Sequence, residues 1–376
     1  MIKTLHVDVE GGWGGSSRSL YELVSNIDKN KVQPHIICRK TGPIQARYHE
    51  FGISTLIESR LYSFVPRRKN SWKIFIASFI QLLKFPAGYR IVKKYIQQNN
   101  IQLVHINYDG LFLLGYFIKK RFNIPVIIHI RTQLPNNLYA KVMVRFICRF
   151  AAHIFFISDN EREAFMAHAK EDMENTSILW NISSAKPKEL AFDQRQSIVY
   201  FGNIDSVKGV DRLFDLAEAL RDLDVNNIKI EVYGAARNSA EFVASLEGRA
   251  KSLGLKNIQL MGHTANPEEI LATAFLLCRP SRWNDPWGRD VIEATCAGIP
   301  CLVTGEYEGV IEHGKNGYLM PEFDAAGGAQ YVKSLVDDPS LWQGMREFAL
   351  AKADRTFRGE SQAKKVGEIV EHLVAG

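Results

Sequence analysis

Short runs of β-branched and apolar residues alternate with helix-length segments along almost the whole chain, and this alternation limits the possible folds more than any other feature. Runs of this length predict buried strands. They fall in two groups of five: 5–9, 35–38, 103–106, 126–130 and 154–157, then 198–201, 228–233, 258–261, 276–278 and 300–303. Strands joined through helices pair in parallel, so we predict an α/β fold with functional residues at the carboxyl ends of the strands.

The chain has 376 residues, about the length of two α/β domains. The polar segment 183–197 contains a proline and has no clear periodicity, which is typical of a linker. We therefore predict Rossmann-like domains at 1–185 and 186–356. Apolar residues at helical spacing predict a final helix at 357–376, and we expect it to pack back onto the first domain.

Composition excludes several classes of protein. Hydrophobic residues make up 46% of the chain and charged residues 23%, which is typical of a folded protein. The five cysteines form no CxxC pair and no cluster with histidines, so we expect neither a disulfide framework nor a metal site. Asp8 and Glu10 interrupt the first apolar run too early for a signal peptide, and no apolar run is long enough to span a membrane. We expect a cytoplasmic protein.

Positive charge is concentrated in one part of the sequence. Between Ser59 and His153 there are 16 Lys and Arg residues and one acidic residue, Asp109. Since the whole chain has 47 basic and 41 acidic residues, the remainder has 31 basic against 40 acidic. A basic half favours an anionic surface, such as lipid headgroups, a lipid pyrophosphate or nucleic acid. The alternative is a basic face that only contacts solvent.

Within this half, the stretch 67–98 combines clustered cations with aromatic and aliphatic bulk. Arg67, Arg68 and Lys69 precede Trp72 and a run of apolar residues. This pattern is typical of a helix that lies in a membrane interface, where each basic residue contributes about 1 kcal/mol of attraction. An ordinary core-facing helix with basic edges has the same pattern, and the sequence does not decide between the two.

The first strand is followed by a glycine-rich turn that includes Gly14 and Gly15 and leads into a helix. Glycines let a backbone approach a phosphate, and the helix start attracts negative charge. A nicotinamide dinucleotide turn is the alternative. It is disfavoured because Ser17 occupies the place of the third glycine, and no acidic residue follows at ribose-binding distance in the sequence.

The second half opens with a strand, Gly202 and Asn203, and Lys208 then stands just before a helix. A cation beside the free amides of a helix start can hold a diphosphate. The spacing is not that of a P-loop. Further along, Asp285 and Glu293 lie on one loop–helix unit, where two carboxylates can accept hydrogen bonds from sugar hydroxyls.

This run resembles the Glu-x7-Glu signature of retaining, GT-B-fold glycosyltransferases of family 4, also described as glycosyl transferases group 1. Gly14-Gly15, the segment from Phe201 to Gly209, Gly234, Gly262 and the glycines at 309 and 317 resemble other motifs of that family, so the resemblance covers nearly the whole chain. It implies two Rossmann-like domains whose parallel sheets face each other across a cleft.

The resemblance also implies roles for individual residues. The catalytic group would be Asp285, Glu293, Lys208 and Arg131. The donor contacts would be Gly14, Gly15, Asn203, Lys208, Gly234, His263, Asp285, Pro286, Trp287, Gly288 and Glu293. The acceptor or membrane contacts would be Arg67, Arg68, Lys69, Trp72, Asp109 and His129.

Three positions depart from the family pattern. Asp285 stands where the first Glu of the signature is usual, and its side chain is one methylene shorter. Asn203 replaces an Arg of the phosphate segment, and Arg282 or Arg289 could substitute for it. Arg131 occupies the place of a His that follows a strand in many relatives; whether Arg131 or the nearby His129 faces the sugar stays open.

The resemblance predicts retaining transfer of a hexosyl unit from a UDP- or GDP-linked sugar to a hydroxyl acceptor, such as a lipid-linked or growing surface glycan. No cofactor and no metal are expected, and the protein would be cytoplasmic or peripheral on the inner face of the membrane. The rivals are another sugar-nucleotide enzyme such as an epimerase, an NAD-dependent dehydrogenase, and a basic nucleic-acid-binding protein. We expect no nucleic acid, since such a binder leaves the acidic second domain unexplained.

Overall fold

The computed structural model describes residues 1–12, 15–62, 72–169, 173–236, 240–282 and 288–376, without the side chains at 72–79 and 81. The chain forms two compact units. The first contains Met1–Ile182 and Gly359–Gly376, and the second contains Ser183–Arg358. The predicted boundary after residue 185 lies a few residues beyond this division.

A seven-stranded parallel sheet forms the centre of the first unit. Its strands are β1 Ile2–Asp8, β2 Val32–Cys38, β3 Ser54–Ile57, β4 Leu103–Ile106, β5 Val126–Ile130, β6 His153–Phe156 and β7 Thr176–Ile178, in the order β3-β2-β1-β4-β5-β6-β7. The helices between them are α1 Gly15–Asn26, α2 Ile44–Glu50, α3 Trp72–Asn99, α4 Phe112–Phe122, α5 Leu138–Phe150 and α6 Asp159–Met166. The strand order reverses between β1 and β4, which is the position where open α/β sheets bind ligands.

A six-stranded parallel sheet forms the centre of the second unit. Its strands are β8 Ser197–Phe201, β9 Lys229–Tyr233, β10 Ile258–Gly262, β11 Leu276–Arg279, β12 Cys301–Thr304 and β13 Gly317–Met320, in the order β10-β9-β8-β11-β12-β13. Its helices are α7 Val210–Asp222, α8 Ala240–Ser252, α9 Pro267–Thr273, α10 Arg289–Ala297, α11 Ala325–Asp337 and α12 Pro339–Thr356. Here the order reverses between β8 and β11.

All ten predicted strands are present with small shifts at their ends, and three further strands were not predicted. These are β3, β7 and β13, which lie at the edges of their sheets. The strands β3 and β7 are short, partly exposed and interrupted by polar residues, whereas β13 is mostly buried but begins with a glycine. The ten predicted strands were therefore enough to indicate the fold class.

Hydrophobic residues cover both faces of the first sheet. Helices α3, α4 and α5 pack on one face with Val7 and Ile128, and α1 packs on the other with Ile36. The last helix, α13 Gly359–Ala375, joins the second layer, where Val366 and Val370 are buried. The C-terminal helix thus belongs to the first unit, although the chain reaches it only after passing through the second.

The segment 183–197, interpreted from the sequence as a linker, packs into the second unit. Arg195 is 2% exposed, and its guanidinium donates to the carbonyls of Ala272 and Ala274 at 3.0 Å each and to Lys188 O at 2.8 Å. It also lies over the Trp342 ring, 5.1 Å from the centroid. The segment connects the two units, but these contacts bind it to the second.

The predicted interfacial stretch 67–98 overlaps α3, which begins at Trp72 and continues through Pro86. Arg67, Arg68 and Lys69 lie outside the described residues, as does the Trp72 side chain. In the part of the chain that is described, no helix combines the length and apolar character that crossing a membrane requires.

Candidate active site

The turn between β1 and α1 carries the predicted glycine pair. Gly14 lies outside the described residues. Gly15 is exposed at the start of α1, and a Cβ added there would meet no atom of the described residues within 4 Å. The fold itself requires Gly11, because a Cβ there would lie 1.9 Å from Lys40 O. Open space at Gly15 leaves its backbone accessible to a ligand.

Polar groups at the carboxyl ends of β1 and β4 are joined by hydrogen bonds. Asp8 Oδ2 accepts from Ser17 Oγ at 2.5 Å, and Asp8 Oδ1 accepts from Asn107 Nδ2 at 3.1 Å. Neither Asp8 nor Asn107 has exposed surface. Burial raises the pKa of Asp8, while the bonds from Ser17 and Asn107 and the charge of Arg131 act against that rise. The carboxyl is thus compensated by donors from two other elements.

Arg131, the first residue after β5, extends this network. Its Nε donates to Asn107 O at 3.0 Å, and its Nη2 donates to Asn107 Oδ1 at 2.8 Å. Its Nη1 donates to Asn181 Oδ1 at 3.3 Å, and Ser19 Oγ donates to the same oxygen at 2.7 Å. The side chains of Asp8, Ser17, Ser19, Asn107, Arg131 and Asn181 therefore form a closed circuit through α1, which we call the polar ring. Asn181, three residues beyond the end of β7, is part of it.

His129 does not share this position, which corrects its prediction as an acceptor contact. It is 2% exposed, and its ring stacks on His105 with centroids 6.0 Å apart and meets Phe155 edge to face. Within the described residues, neither ring nitrogen has a hydrogen-bond partner. Burial, with the charge of Arg131, holds the pKa of His129 well below its usual value, so the ring is neutral near pH 7. Of the two basic residues, Arg131 is the one at the strand end.

Asp109, also predicted as an acceptor contact, has no exposed surface. Thr132 Oγ1 donates to its Oδ2 at 2.7 Å, and Oδ1 has no hydrogen-bond partner in the part of the chain that is described. Burial raises the pKa of Asp109 to about 6, although Thr132 and the charge of Arg131 oppose the rise. Contact with an acceptor would require a rearrangement, because the carboxyl is fully buried.

Two more histidines lie in the interior of the same sheet. His6 Nδ1 is 3.0 Å from His105 Nδ1, and Thr4 Oγ1 is 3.0 Å from His6 Nε2. Nδ1 of His105 is satisfied by this contact, whereas its Nε2 has no hydrogen-bond partner among the described residues. Burial lowers the pKa of His6 to about 3 and that of His105 well below its usual value. Both rings are therefore neutral and structural near pH 7.

In the second unit, glycines line the carboxyl ends of three neighbouring strands. A Cβ on Gly234 would lie 1.8 Å from Gly202 O, so these two backbones touch at the ends of β9 and β8. Gly234 N donates to Gly262 O at the end of β10 at 2.9 Å. The predicted donor contacts Asn203 and His263 follow Gly202 and Gly262 directly, and both are exposed. This edge presents backbone and small residues to a ligand.

A hydrogen bond from its backbone N–H fixes Lys208 near the N-terminus of α7. Its N–H donates to Asp205 Oδ1 at 2.8 Å, and the next residue, Gly209, has a φ of +72°. A Cβ on Gly209 would lie 1.9 Å from Pro280 O, just beyond β11. The contact between Gly209 and Pro280 fixes the turn that carries Lys208 against a neighbouring strand end.

The arginines proposed to substitute at Asn203 both form ion pairs. Arg282 donates to both carboxylate oxygens of Asp211, at 2.7 and 2.5 Å. Arg289 Nε lies 2.9 Å from Glu293 Oε1, one turn further along α10. Glu293 is 6% exposed, and its carboxylate forms this ion pair with a residue of its own helix. Neither arginine is an uncommitted phosphate ligand.

Gly288 precedes α10 and packs against an ion pair that the sequence analysis missed. Arg279 Nη1, at the end of β11, donates to Asp290 Oδ1 at 2.7 Å. A Cβ on Gly288 would lie 2.3 Å from Arg279 Nη1 and 2.4 Å from Asp290 Oδ1. The pair therefore fixes the start of the helix that carries Glu293. The predicted residues Asp285, Pro286 and Trp287 lie outside the described residues.

Two family models match the chain in succession. The model described as Glycosyltransferase Family 4 matches residues 13–181, and the model described as Glycosyl transferases group 1 matches residues 181–352. The chain is a family 4 glycosyltransferase. The two matches meet at residue 181, next to the division between the two compact units. Each model thus corresponds to one unit of this glycosyltransferase.

Among characterised relatives of this glycosyltransferase, the alpha-D-kanosaminyltransferase of Streptomyces kanamyceticus is 26% identical over 279 residues, which are 65% of this chain and 71% of that protein. The N-acetyl-alpha-D-glucosaminyl L-malate synthase of Bacillus anthracis is 28% identical over 177 residues, 46% of this chain and 45% of that protein. The match therefore spans less than half of the second relative.

Solved structures agree on the fold. The crystal structure of the Anabaena protein HepE in complex with UDP has a TM-score of 0.80 at 17% identity, over 99% of this chain and 100% of that chain. The family 4 glycosyltransferase thus has the GT-B fold, as the sequence motifs implied.

Sequence reasoning missed most of the polar ring of this glycosyltransferase. Asp8 and Asn107 are 99 positions apart, and no local pattern connects them. A usable signal was present: each directly ends or follows a buried strand, and those two strands flank the point where the sheet order reverses. The pair Arg289–Glu293 was also visible, because residues four apart on a helix lie on one face.

Proposed function

We propose that this glycosyltransferase moves a hexosyl unit from a nucleoside diphosphate sugar to a hydroxyl acceptor with retention of configuration. The observation that supports it most is the placement of Lys208, beside the start of α7, and of Glu293, on α10. These helices follow β8 and β11, adjacent strands at the reversal of the sheet. A cation at a helix start suits a diphosphate, and a fixed carboxylate suits ribose hydroxyls.

Uridine donors are the first to test, because HepE crystals contain UDP in one case and UDP-glucose in another. GDP-linked sugars stay the alternative. In this proposal Lys208 stabilises the negative charge of the departing diphosphate. Arg289 orients the Glu293 carboxylate, which is then already in position to accept hydrogen bonds from the ribose hydroxyls.

The proposal assigns retention to same-face displacement in which the leaving phosphate assists, without an enzymic nucleophile. Cys278 and Cys301 lie in the central strands β11 and β12 and are fully buried. Burial raises the pKa of both thiols, so they are poor nucleophiles. Direct determination of the anomeric configuration of the product by NMR would test retention.

The remaining matched positions keep their proposed roles, in which Asp285 faces the sugar and Arg131 is a catalytic basic group. The proposed supporting contacts are Gly14, Gly15, Asn203, Gly234, His263, Pro286, Trp287 and Gly288. We also propose that no metal or cofactor takes part. In the described part of the chain, no three His, Cys, Asp or Glu side chains are grouped to hold a metal ion. Unchanged turnover in EDTA is the expected result.

Donor binding is tested by thermal unfolding with UDP, GDP, ADP and NAD. A ligand at one hundred times its dissociation constant stabilises by about 2.7 kcal/mol, so the matching nucleotide should raise Tm by several degrees. Glu293→Gln should remove most of this shift, because the ribose loses a charged acceptor. Turnover of the matching nucleotide sugar should fall in parallel.

The matched control is Glu218→Gln, because Glu218 is also a helical glutamate of the second unit that contacts an arginine, Arg249, at 3.3 Å. It should leave the nucleotide shift unchanged. A shift with NAD alone, or an equal shift in Glu293→Gln, would reject the proposed donor site. Sugar-nucleotide turnover without any acceptor would favour the epimerase instead.

We further propose that this glycosyltransferase meets its acceptor at an anionic membrane surface. Helices α3, α4 and α5 contain no Asp or Glu, and they carry the exposed basic residues Lys84, Arg90, Lys94, Lys120, Arg121, Lys141, Arg145 and Arg149. Exposed apolar side chains lie among them: Leu83 is 67% exposed, Leu138 is 76% exposed and Phe117 is 39% exposed. Apolar groups surrounded by cations suit a lipid interface. The predicted contacts Arg67, Arg68, Lys69 and Trp72 lie before or at the start of α3.

Flotation with anionic and neutral vesicles tests this surface. Arg145→Glu should weaken binding to anionic vesicles by about tenfold, since it removes one attractive charge and adds a repulsive one. Lys364→Glu, on α13 at the opposite face of the sheet, is the control and should have a smaller effect. No binding to anionic vesicles by the unmodified protein, or equal losses in both variants, would reject the surface.

A further inference from the structure

Two loops at the carboxyl edge of the first sheet pack backbone against backbone. One follows β1 and contains Gly11, and the other follows β2 and contains Lys40 and Gly42. A Cβ on Gly11 would lie 1.9 Å from Lys40 O, and a Cβ on Gly42 would lie 2.1 Å from Gly11 O. Gln45 Oε1 accepts from Gly42 N at 2.6 Å, and Gln45 Nε2 donates to Lys40 O at 2.9 Å. The residues on these two loops are therefore fixed relative to one another.

The two loops carry two cations and one carboxylate. Lys40 Nζ donates to Glu10 Oε2 at 2.7 Å, whereas Arg39 Nη2 lies 4.0 Å from Glu10 Oε1, which is too far for a hydrogen bond. Glu58, which directly follows the neighbouring strand β3, accepts from Arg60 Nε at 2.7 Å and from Arg60 Nη2 at 2.9 Å. Among the described residues, the cluster of Glu10, Arg39 and Lys40 thus has one more positive than negative charge.

Arg39 forms few hydrogen bonds for an arginine with so little exposed surface. Its side chain is 18% exposed. Its Nε donates to Val9 O at 3.2 Å, and this is the one hydrogen bond that the guanidinium makes within the part of the chain that is described. A guanidinium has five N–H donors, and its planar fork matches the paired oxygens of a carboxylate or a phosphate. The bond from Nε orients the group and leaves its terminal nitrogens for solvent or a ligand.

We propose that Arg39 binds an anionic group of the acceptor, a carboxylate or a phosphate, while Lys40 holds the Glu10 carboxylate aside. The inference rests on the proposed function and deepens it, because it names a chemical feature of the acceptor. In the proposed donor site Lys208, in the second unit, already serves the diphosphate. A further cation at the edge of the first sheet is therefore assigned to the acceptor.

Glu10→Gln should strengthen anion binding at Arg39, a gain that general damage to the fold would not produce. It removes the carboxylate that competes with a ligand for the guanidinium and leaves the charge of Lys40 unpaired beside it. Affinity for small anions should rise by about fivefold.

Binding is measured on the Arg39 Nε–H signal in arginine-labelled NMR, identified by its absence in Arg39→Lys. Inorganic phosphate is added in one arm and acetate in the other, each up to about 50 mM, with chloride keeping the ionic strength constant. The signal should shift and saturate in at least one arm, and the stronger arm identifies the anion. The titration is repeated with saturating UDP, which should leave the response in place.

Glu371→Gln is the matched control. Glu371 Oε1 lies 2.9 Å from Lys31 Nζ, so this variant also breaks a Lys–Glu pair and removes one negative charge from the first unit. Lys31 precedes β2 and Lys40 follows it, which places the two pairs at opposite ends of one strand. Glu371→Gln should leave the affinity at Arg39 unchanged. An equal gain in both variants would mean that Arg39 responds only to the net charge of the protein.

An Arg39 signal that neither anion shifts, or no gain of affinity in Glu10→Gln, would overturn the proposal. A response that UDP abolishes would assign Arg39 to the donor and overturn its assignment to the acceptor. If Arg39 fails these tests while UDP binds through Glu293, this inference is wrong and the proposed function stands. If Arg39 binds anions as expected but no nucleoside diphosphate raises Tm, the anion site is correct and the acceptor assignment is rejected with the proposed function.

Discussion

The carboxyl edges of the two sheets differ in composition: bonded polar side chains occupy the first, and glycine backbone occupies much of the second. In the first unit, the edge is closed by the polar ring, in which Asp8 and Asn107 are fully buried. In the second unit, glycine backbones occupy the strand ends, and Asn203 and His263 after them are exposed. Side chains that bond to one another fix a single arrangement, whereas open backbone accommodates a ligand. We therefore expect the edge of the first sheet to be rigid and the edge of the second, which we call the receptive edge, to adapt to a ligand.

The largest expected effect comes from acid, and it should fall on the first unit. His6, His105 and His129 are buried, and their pKa values lie well below the unfolded value of about 6.5. The unfolded chain therefore binds more protons below pH 6.5, and stability falls as pH falls. Between pH 7.5 and 5.5 each histidine should cost about 1.4 kcal/mol, so the three cost about 4 kcal/mol. His153, whose pKa burial lowers to about 4, should add a cost of similar size to that of one of these histidines.

Asp109 acts in the opposite sense, because its folded pKa of about 6 lies above the unfolded value; its protonation should restore about 1 kcal/mol over this range. Urea unfolding at the two pH values measures the net loss. His129→Phe should reduce that loss by about 1.4 kcal/mol, because a ring without nitrogens suits its neighbours His105 and Phe155. The exposed His263→Gln is the control. Equal pH dependence in His129→Phe and the unmodified protein would contradict this account.

The second-largest expected effect is on the free energy of unfolding, and it compares one glycine from each unit. Gly209→Ala should cost about 3 kcal/mol, because the Cβ would lie 1.9 Å from Pro280 O and the φ of +72° disfavours alanine. Gly15→Ala should change stability by less than about 0.5 kcal/mol, since a Cβ there meets no atom of the described residues within 4 Å. Urea unfolding of the two variants compares them. Similar costs would mean that glycine serves the same purpose in both edges.

These two edges also differ in how far the sequence predicts them. The central strands were predicted because residues such as Leu5 and Ile128 continue an apolar run, and the glycines and Lys208 could be placed because each follows such a strand directly. The polar ring could not, because it joins residues from β1, α1 and the ends of β4, β5 and β7. His129 was misplaced for a related reason: it is two residues before Arg131, but it lies within β5, where its side chain is buried.

The smallest expected effect distinguishes a bond that keeps a ligand-binding residue in place from a bond that only stabilises the fold. Asp205→Ala removes the acceptor for Lys208 N–H, a bond of 2.8 Å, and should cost about 1 kcal/mol of stability. If this bond also keeps Lys208 in place for the diphosphate, affinity for UDP should fall several-fold in the same variant. Urea unfolding and calorimetry measure the two quantities.

Asp338 gives the matched control for this variant, because its carboxylate likewise accepts from backbone N–H groups at a helix start, Ser340 N at 2.9 Å and Leu341 N at 3.1 Å. Asp338→Ala should lose similar stability and no affinity, since α12 carries no proposed donor contact. Affinity lost equally in both variants would mean that UDP responds to general loosening of the second unit. Affinity lost in Asp205→Ala alone would show that the receptive edge still depends on one fixed turn.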